Sequence, residues 1–254
     1  MTSPQDPHTK VYSHINGPAV DLLDRLAVSE ICKGWPIYRD ASEWQNFRSL
    51  FAPKATVWTT WSGACDVDRF IEMSKRGKQD GVFIQHRECG TLVELGPILE
   101  EGHIDSPPAT VRRAVGKMKA TITQRFANHD DDTEFDVDCD CRFVFFCEKV
   151  ADTDTWQTVY VKLVYEKDKI VTVDGHAVPK ITAPERKYMA ERLPEGYRYL
   201  GIMQRRLGYA IDVNLATPRN AGWERIYAAM EQWLAGRKVT LGWSGRPAEH
   251  DEGF

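Results

Sequence analysis

The chain has 254 residues, 42% hydrophobic and 28% charged, enough for one large domain with a full core. A formal net charge of −4 and an isoelectric point near 6.0 leave no electrostatic footprint for nucleic acid or an anionic membrane. The opening Met1-Thr-Ser-Pro-Gln-Asp-Pro lacks an export signal, and no apolar run approaches the about 20 residues that span a bilayer. A cytoplasmic location is therefore expected, and with it free thiols at all six cysteines. Cys139 and Cys141 form a C-x-C inside a strand pattern, which is not the spacing of a zinc knuckle.

Residues 1–19 are rich in proline and poor in apolar anchors, and read as an arm. From Asp21 an amphipathic helix sets Leu23, Ala27, Ile31 and Trp35 on one face at i, i+4 steps. Pro36 lies within that pattern and is expected to kink or stop the helix, because it lacks the N–H and clashes with the Cys32 carbonyl. A second helix through Trp44, Phe47, Leu50 and Phe51 is expected to end at Pro53. Between the two, Asp40-Ala-Ser-Glu43 spells a capping box, although Ser42 offers an alternative cap that would free Asp40.

Ala55–Trp61 is rich in β-branched and aromatic residues and reads as a strand closed by Ser62-Gly63. Asp66 or Asp68 can cap a third helix carrying Phe70, Ile71 and Met73, which breaks near Gly77 and Gly81. Val82–Leu95 is extended, followed by a loop with Gly102 and Pro107-Pro108. Arg113–Phe126 and Glu134–Val150 are long strands joined by a hairpin at His129–Asp132. Pairing with an odd position sum joins their apolar faces and sets a Lys/Arg row against Asp136, Asp138 and Asp140. That DxDxD run imitates a calcium loop but lacks its glycine, so a solvated or salt-bridged strand face is expected. Trp156–Tyr165 and Ile170–Val173 complete the sheet.

His176 follows Asp174-Gly175 at the strand end and receives no role. From Pro184 the pattern turns helical and basic, and Trp223, Ile226, Tyr227, Met230, Trp233 and Leu234 mark a further amphipathic helix. The tail from Gly236 is polar. One α+β domain is expected, with a core over 20–182 and a helical extension over 183–254 packed on it.

Four residues carry the functional expectation: Trp35, Asp40, Trp61 and His86. Two indoles can hold a flat ring, while a carboxylate and an imidazole can move a proton onto or off it. Each also has an ordinary structural reading: core for the tryptophans, a satisfied buried ring for His86, a helix cap for Asp40. No glycine-rich phosphate loop or nucleophile elbow is present, which argues against nucleotide cofactors and serine hydrolysis.

Gly34-Trp35-Pro36-Ile37-Tyr38-Arg39-Asp40, Thr59-Thr60-Trp61-Ser62-Gly63 and Ile84-Gln85-His86 closely resemble the fungal cofactor-independent gallate/protocatechuate decarboxylases. These belong to the SnoaL-like, or nuclear-transport-factor-2-like, group. The resemblance spans roughly 20–180. It implies a cone in which a curved mixed sheet wraps around N-terminal helices. It also implies a catalytic Asp40–His86 dyad, a Trp35/Trp61 clamp on the substrate ring, a hydroxybenzoic acid substrate, no organic cofactor, and a homotrimer containing potassium whose ligands are unassigned. On that reading Asp40 raises the His86 pKa and orients an imidazolium toward the ring. Two other readings stand beside it. One is a dehydratase or isomerase resembling scytalone dehydratase, with the same pair abstracting a proton. The other is a non-enzymatic small-molecule-binding module.

Overall fold

The computed structural model describes residues 12–99, 110–128, 133–173, 175, 178–218 and 220–242. The hairpin turn at His129–Asp132, the loop with Gly102 and Pro107-Pro108, His176 and most of the two termini lie outside the described residues. Helices α1 (Ala19–Asp40) and α2 (Trp44–Ser49) precede strands β1 (Phe51–Thr59) and β2 (Gly63–Asp66), and α3 (Val67–Gln79) leads into β3 (Phe83–Ile98). Three long strands follow, β4 (Thr110–Asn128), β5 (Thr133–Val150) and β6 (Thr155–Thr172), then α4 (Ala183–Glu191), α5 (Arg198–Arg206) and α6 (Ala221–Leu234). All six strands form one curved sheet in the order β2-β1-β6-β5-β4-β3. Only β1 and β6 run parallel among the adjacent pairs, so the α+β class and the mixed sheet are as expected.

The odd register sum holds along β4–β5, from Arg113↔Glu148 to Arg125↔Asp136. The charge rows meet only in part. Arg125 pairs with Asp136 at 2.5 Å, but Asp138 and Asp140 face Thr123 and Thr121 and accept their hydroxyls at 2.6 and 2.7 Å. Lys119 lies opposite Arg142, and both reach Glu166 instead. The two final strand segments are one strand, β6. An extra residue at Glu166, between Tyr165↔Cys141 and Lys167↔Asp140, bends it without ending it.

Several local expectations change. α1 runs through Pro36 to Asp40. Only the last turn lies beyond the proline, and the Asp40 carbonyl there accepts the Lys78 ammonium at 2.5 Å. α2 stops at Ser49, and Pro53 sits inside β1 where the register with β6 slips between Phe51 and Thr56, a place where a missing N–H costs no ladder bond. The buried stripe of α1 is Asp24, Arg25, Val28, Cys32, Trp35 and Arg39, while Leu23 is 65% exposed. Apolar spacing misplaced that stripe because Asp24 is buried through partners distant in sequence. It accepts the Trp156 indole at 3.0 Å and pairs with Arg112 and Lys149 at 3.0 and 3.1 Å. Asp66, not Asp68, caps α3 by accepting the Arg69 N–H at 2.9 Å. All six cysteines are free thiols, and all but Cys89 are buried.

α1 lies on the sheet face that carries Phe143 and Phe145, and Gly116 of β4 lets Cys32 press against bare backbone. α6 covers the opposite face. Trp233 packs on Phe146 and Tyr160, and its indole N–H reaches the Ala114 and Cys147 carbonyls at 3.1 Å each. Among the described residues no helix is long and apolar enough to cross a membrane.

At Gly96 a Cβ would collide with the Leu234 carbonyl at the end of α6. Gly96→Ala is therefore expected to lower unfolding stability by about 1–3 kcal/mol, as overpacking does. A denaturant titration with an unchanged midpoint would contradict the docking of α6 described here.

Candidate active site

The end of α1 and the start of β3 meet through one carboxylate. Asp40 Oδ2 accepts the backbone N–H of His86 at 2.6 Å, and Oδ1 stands 2.8 Å from His86 Nδ1. Neither Asp40 nor Ser42 caps α2. Its N-cap is Glu43, without a side-chain bond, and the Ser42 hydroxyl accepts from Lys78 at 2.9 Å. The alternation of β3 turns Ile84 and His86 inward and Gln85 outward. The His86 side chain is 5% exposed.

His86 lines a narrow hollow, which Trp35, Trp61, Phe70 and Phe143 also line. Of the four residues singled out from the sequence, three line this hollow, and Asp40 stands behind the imidazole. Their settings differ. Trp35 is 1% exposed and packs its ring on Phe47, Phe70 and Phe143 at centroid distances of 5.2, 5.4 and 5.1 Å. Its indole N–H has no hydrogen-bond partner among the described residues. Trp61 lies beyond β1, on the turn into β2, half-buried, with Phe70 at 5.4 Å and Tyr209 at 5.8 Å. Phe70 thus touches both indoles.

Sequence reasoning missed several wall residues. Arg39 is 4% exposed and lines both this hollow and an adjoining one of about 360 Å³. Its Nη1 is 3.6 Å from Asp40 Oδ1, and its guanidinium carbon is 5.7 Å from the Phe70 ring centre. Gln204 of α5 also lines both hollows. It accepts the Thr60 hydroxyl at 2.7 Å and donates to Gln124 at 3.0 Å. The C-terminal extension therefore helps wall the site, as the Asp212 N–H donating to the Thr60 carbonyl at 2.8 Å also shows. A buried arginine immediately before Asp40 was a usable signal. Gln204 had none, being 144 residues from its Thr60 partner.

Burial pushes the His86 pKa below its ordinary value. Asp40 pulls it up through its hydrogen bond and charge, while Arg39 and Lys78 add to the fall. The expected rise from Asp40 is thus present but outweighed. At neutral pH the ring is a neutral imidazole whose Nδ1–H donates to Asp40, leaving Nε2 with a free lone pair. Such a ring accepts a proton readily and donates one only after being charged.

Comparison with known proteins matches a SnoaL-like domain model to residues 20–162. A PEP2-like protein of Fusarium vanettenii is 38% identical over 234 residues, covering 89% of this chain and 92% of that one. Pea pathogenicity protein 2 of the same organism is 38% identical over 235 residues with the same coverage. Among solved structures, a putative scytalone dehydratase from Novosphingobium aromaticivorans superposes with a TM-score of 0.42 at 12% identity, over 62% of this chain and 97% of its own. LinA superposes at 0.41 and 10% identity, over 63% and 96%.

The His86 ring, followed by NMR across pH, is expected to titrate below the ordinary 6.5. Asp40→Asn should lower that midpoint further, by removing the carboxylate that raises it. A midpoint above the ordinary value in the unliganded protein would contradict this balance.

Proposed function

This chain belongs to the SnoaL-like family, and we propose, from its site residues, that it is a carboxy-lyase acting without an organic cofactor on hydroxybenzoic acids, taking gallate to pyrogallol and protocatechuate to catechol. The observation that carries this reading is the Asp40–His86 pair held behind an aromatic-walled hollow. The homotrimer and potassium implied by the resemblance are part of the proposal without assigned ligands. Among the described residues no group of three or more His, Cys, Asp or Glu side chains gathers to hold a metal, and no step below runs through one.

The electrons that hold the carboxylate lie in the plane of an aromatic ring, so its direct loss leaves an unstabilised carbanion. Protonating the ring carbon that bears the carboxylate avoids this. A para hydroxyl feeds density into the ring, the carbon accepts a proton, and the C–C bond pair then restores aromaticity as CO2 leaves. One proton is consumed per carboxylate lost. His86 is the donor, and Asp40 steadies the imidazolium. Since the resting ring is neutral, it must be loaded first. A substrate anion beside Arg39 offsets the cations that add to the fall in the His86 pKa, and so favours loading the ring with a proton against the larger effect of burial. Trp35 and Trp61 confine the ring plane and exclude water, which favours neutral CO2 over the carboxylate.

The neutral resting imidazole also favours a second reading, in which Nε2 abstracts a proton in a dehydratase or isomerase reaction. A CO2-release assay beside an absorbance assay for dehydration separates the two.

His86→Ala and Asp40→Asn are each expected to lower kcat on gallate or protocatechuate by at least about 100-fold, the usual minimum for a general acid–base group. Trp61→Ala should lose activity while keeping a near-normal melting temperature, since Trp61 is only half-buried. Near-wild-type turnover by either folded dyad variant would refute the mechanism.

A further inference from the structure

We propose that Arg39 is the anion-recognising residue of this site, a guanidinium only loosely paired with Asp40 until it receives the carboxylate of the incoming acid. The inference rests on the hydroxybenzoic acid reading of the same hollow and assigns the end of the substrate that Arg39 holds.

Arg39 is 4% exposed, and its Nε and Nη1 have no hydrogen-bond partner among the described residues. A planar cation with five donors is seldom buried in that condition, because each unmet donor carries a desolvation cost. Its nearest anion cannot satisfy it. Asp40 Oδ1 lies 3.6 Å from Nη1 and is already engaged by the His86 ring at 2.8 Å, while Oδ2 is taken by the His86 N–H. Phe70 offers a ring face 5.7 Å from the guanidinium carbon, which attracts its charge but accepts no N–H in its plane.

The local charge points the same way. Arg39 and Lys78 both lower the His86 pKa as cations, and the Asp40 carboxylate raises it. Lys78 is committed to the Asp40 carbonyl at 2.5 Å and to the Ser42 hydroxyl at 2.9 Å. Arg39 lines the hollow in which a further anion would sit. A carboxylate matches the guanidinium fork in shape and charge, and a neutral phenol does not. Because Arg39 and His86 share the same Asp40 oxygen, a carboxylate held by Arg39 brings the carbon that bears it toward the imidazole.

The test is calorimetric titration of the wild-type full chain with 3-hydroxybenzoate, an acid without the para hydroxyl that the decarboxylation requires, and separately with catechol. With Arg39 present the acid is expected to bind at least about 10-fold tighter than catechol, the scale of a charge-assisted hydrogen bond. Adding Arg39→Gln should erase that preference and leave catechol binding unchanged. Replacing an unmet buried charge should also leave the melting temperature unchanged or higher. A preference for the acid that survives Arg39→Gln overturns the assignment, as does equal loss of both ligands accompanied by a fall in melting temperature. If the preference depends on Arg39 but the wild-type protein releases no CO2, Arg39 keeps its role and the decarboxylase reading falls.

Discussion

The two-pronged grip of Asp40 on His86 organises the candidate site. One carboxylate oxygen takes the backbone N–H and the other the ring Nδ1, across 46 residues of sequence. The double bond ties the last residue of α1 to the inward-facing row of β3 and fixes the imidazole against rotation. It also occupies both Asp40 oxygens, which leaves the neighbouring arginine without a full partner. Orientation of the base and exposure of a cation thus follow from one constraint.

The rest of the fold serves that junction. Phe143 and Phe145 on the inner face of β5 support Trp35 and hold α1 against the sheet, while α6 covers the outer face with Trp233. α5 brings Gln204 to Thr60, next to Trp61 on the β1–β2 turn. A polar chain through Thr60, Gln204 and Gln124 therefore crosses an otherwise apolar wall, each member hydrogen-bonded as burial requires. The low His86 pKa has the same origin as the tight aromatic packing: water that would stabilise the imidazolium is excluded.

Much of this was legible in the sequence. Strand alternation gave β4 and β5 and their register parity, since period-two patterning survives in long half-buried strands. The order of elements gave the α+β class, and residue chemistry picked out Asp40 and His86. The failures share a physical pattern. Leu23 was placed on the buried face of α1, which instead buries Asp24 and Arg39, because polar residues bury wherever distant partners reach them. Asp40 looked like a cap because the local motif was complete, and a tertiary hydrogen bond won over it. Gln204 was invisible because its partners come from other strands and no local spacing records them. The rise that Asp40 gives the His86 pKa was legible and the net fall was not, because a neighbouring carboxylate can be read from sequence and a desolvated cavity cannot.

The most direct measurement is a crystal structure of the Asp40→Asn variant with protocatechuate bound, in which His86 is still present and turnover is slowed. The expected complex has the ring carbon that bears the carboxylate about 3.5 Å from His86 Nε2, the carboxylate against Arg39, and the ring edge between Trp35 and Trp61. A ligand turned so that its hydroxyls meet the imidazole, or one bound only outside this hollow, would contradict it.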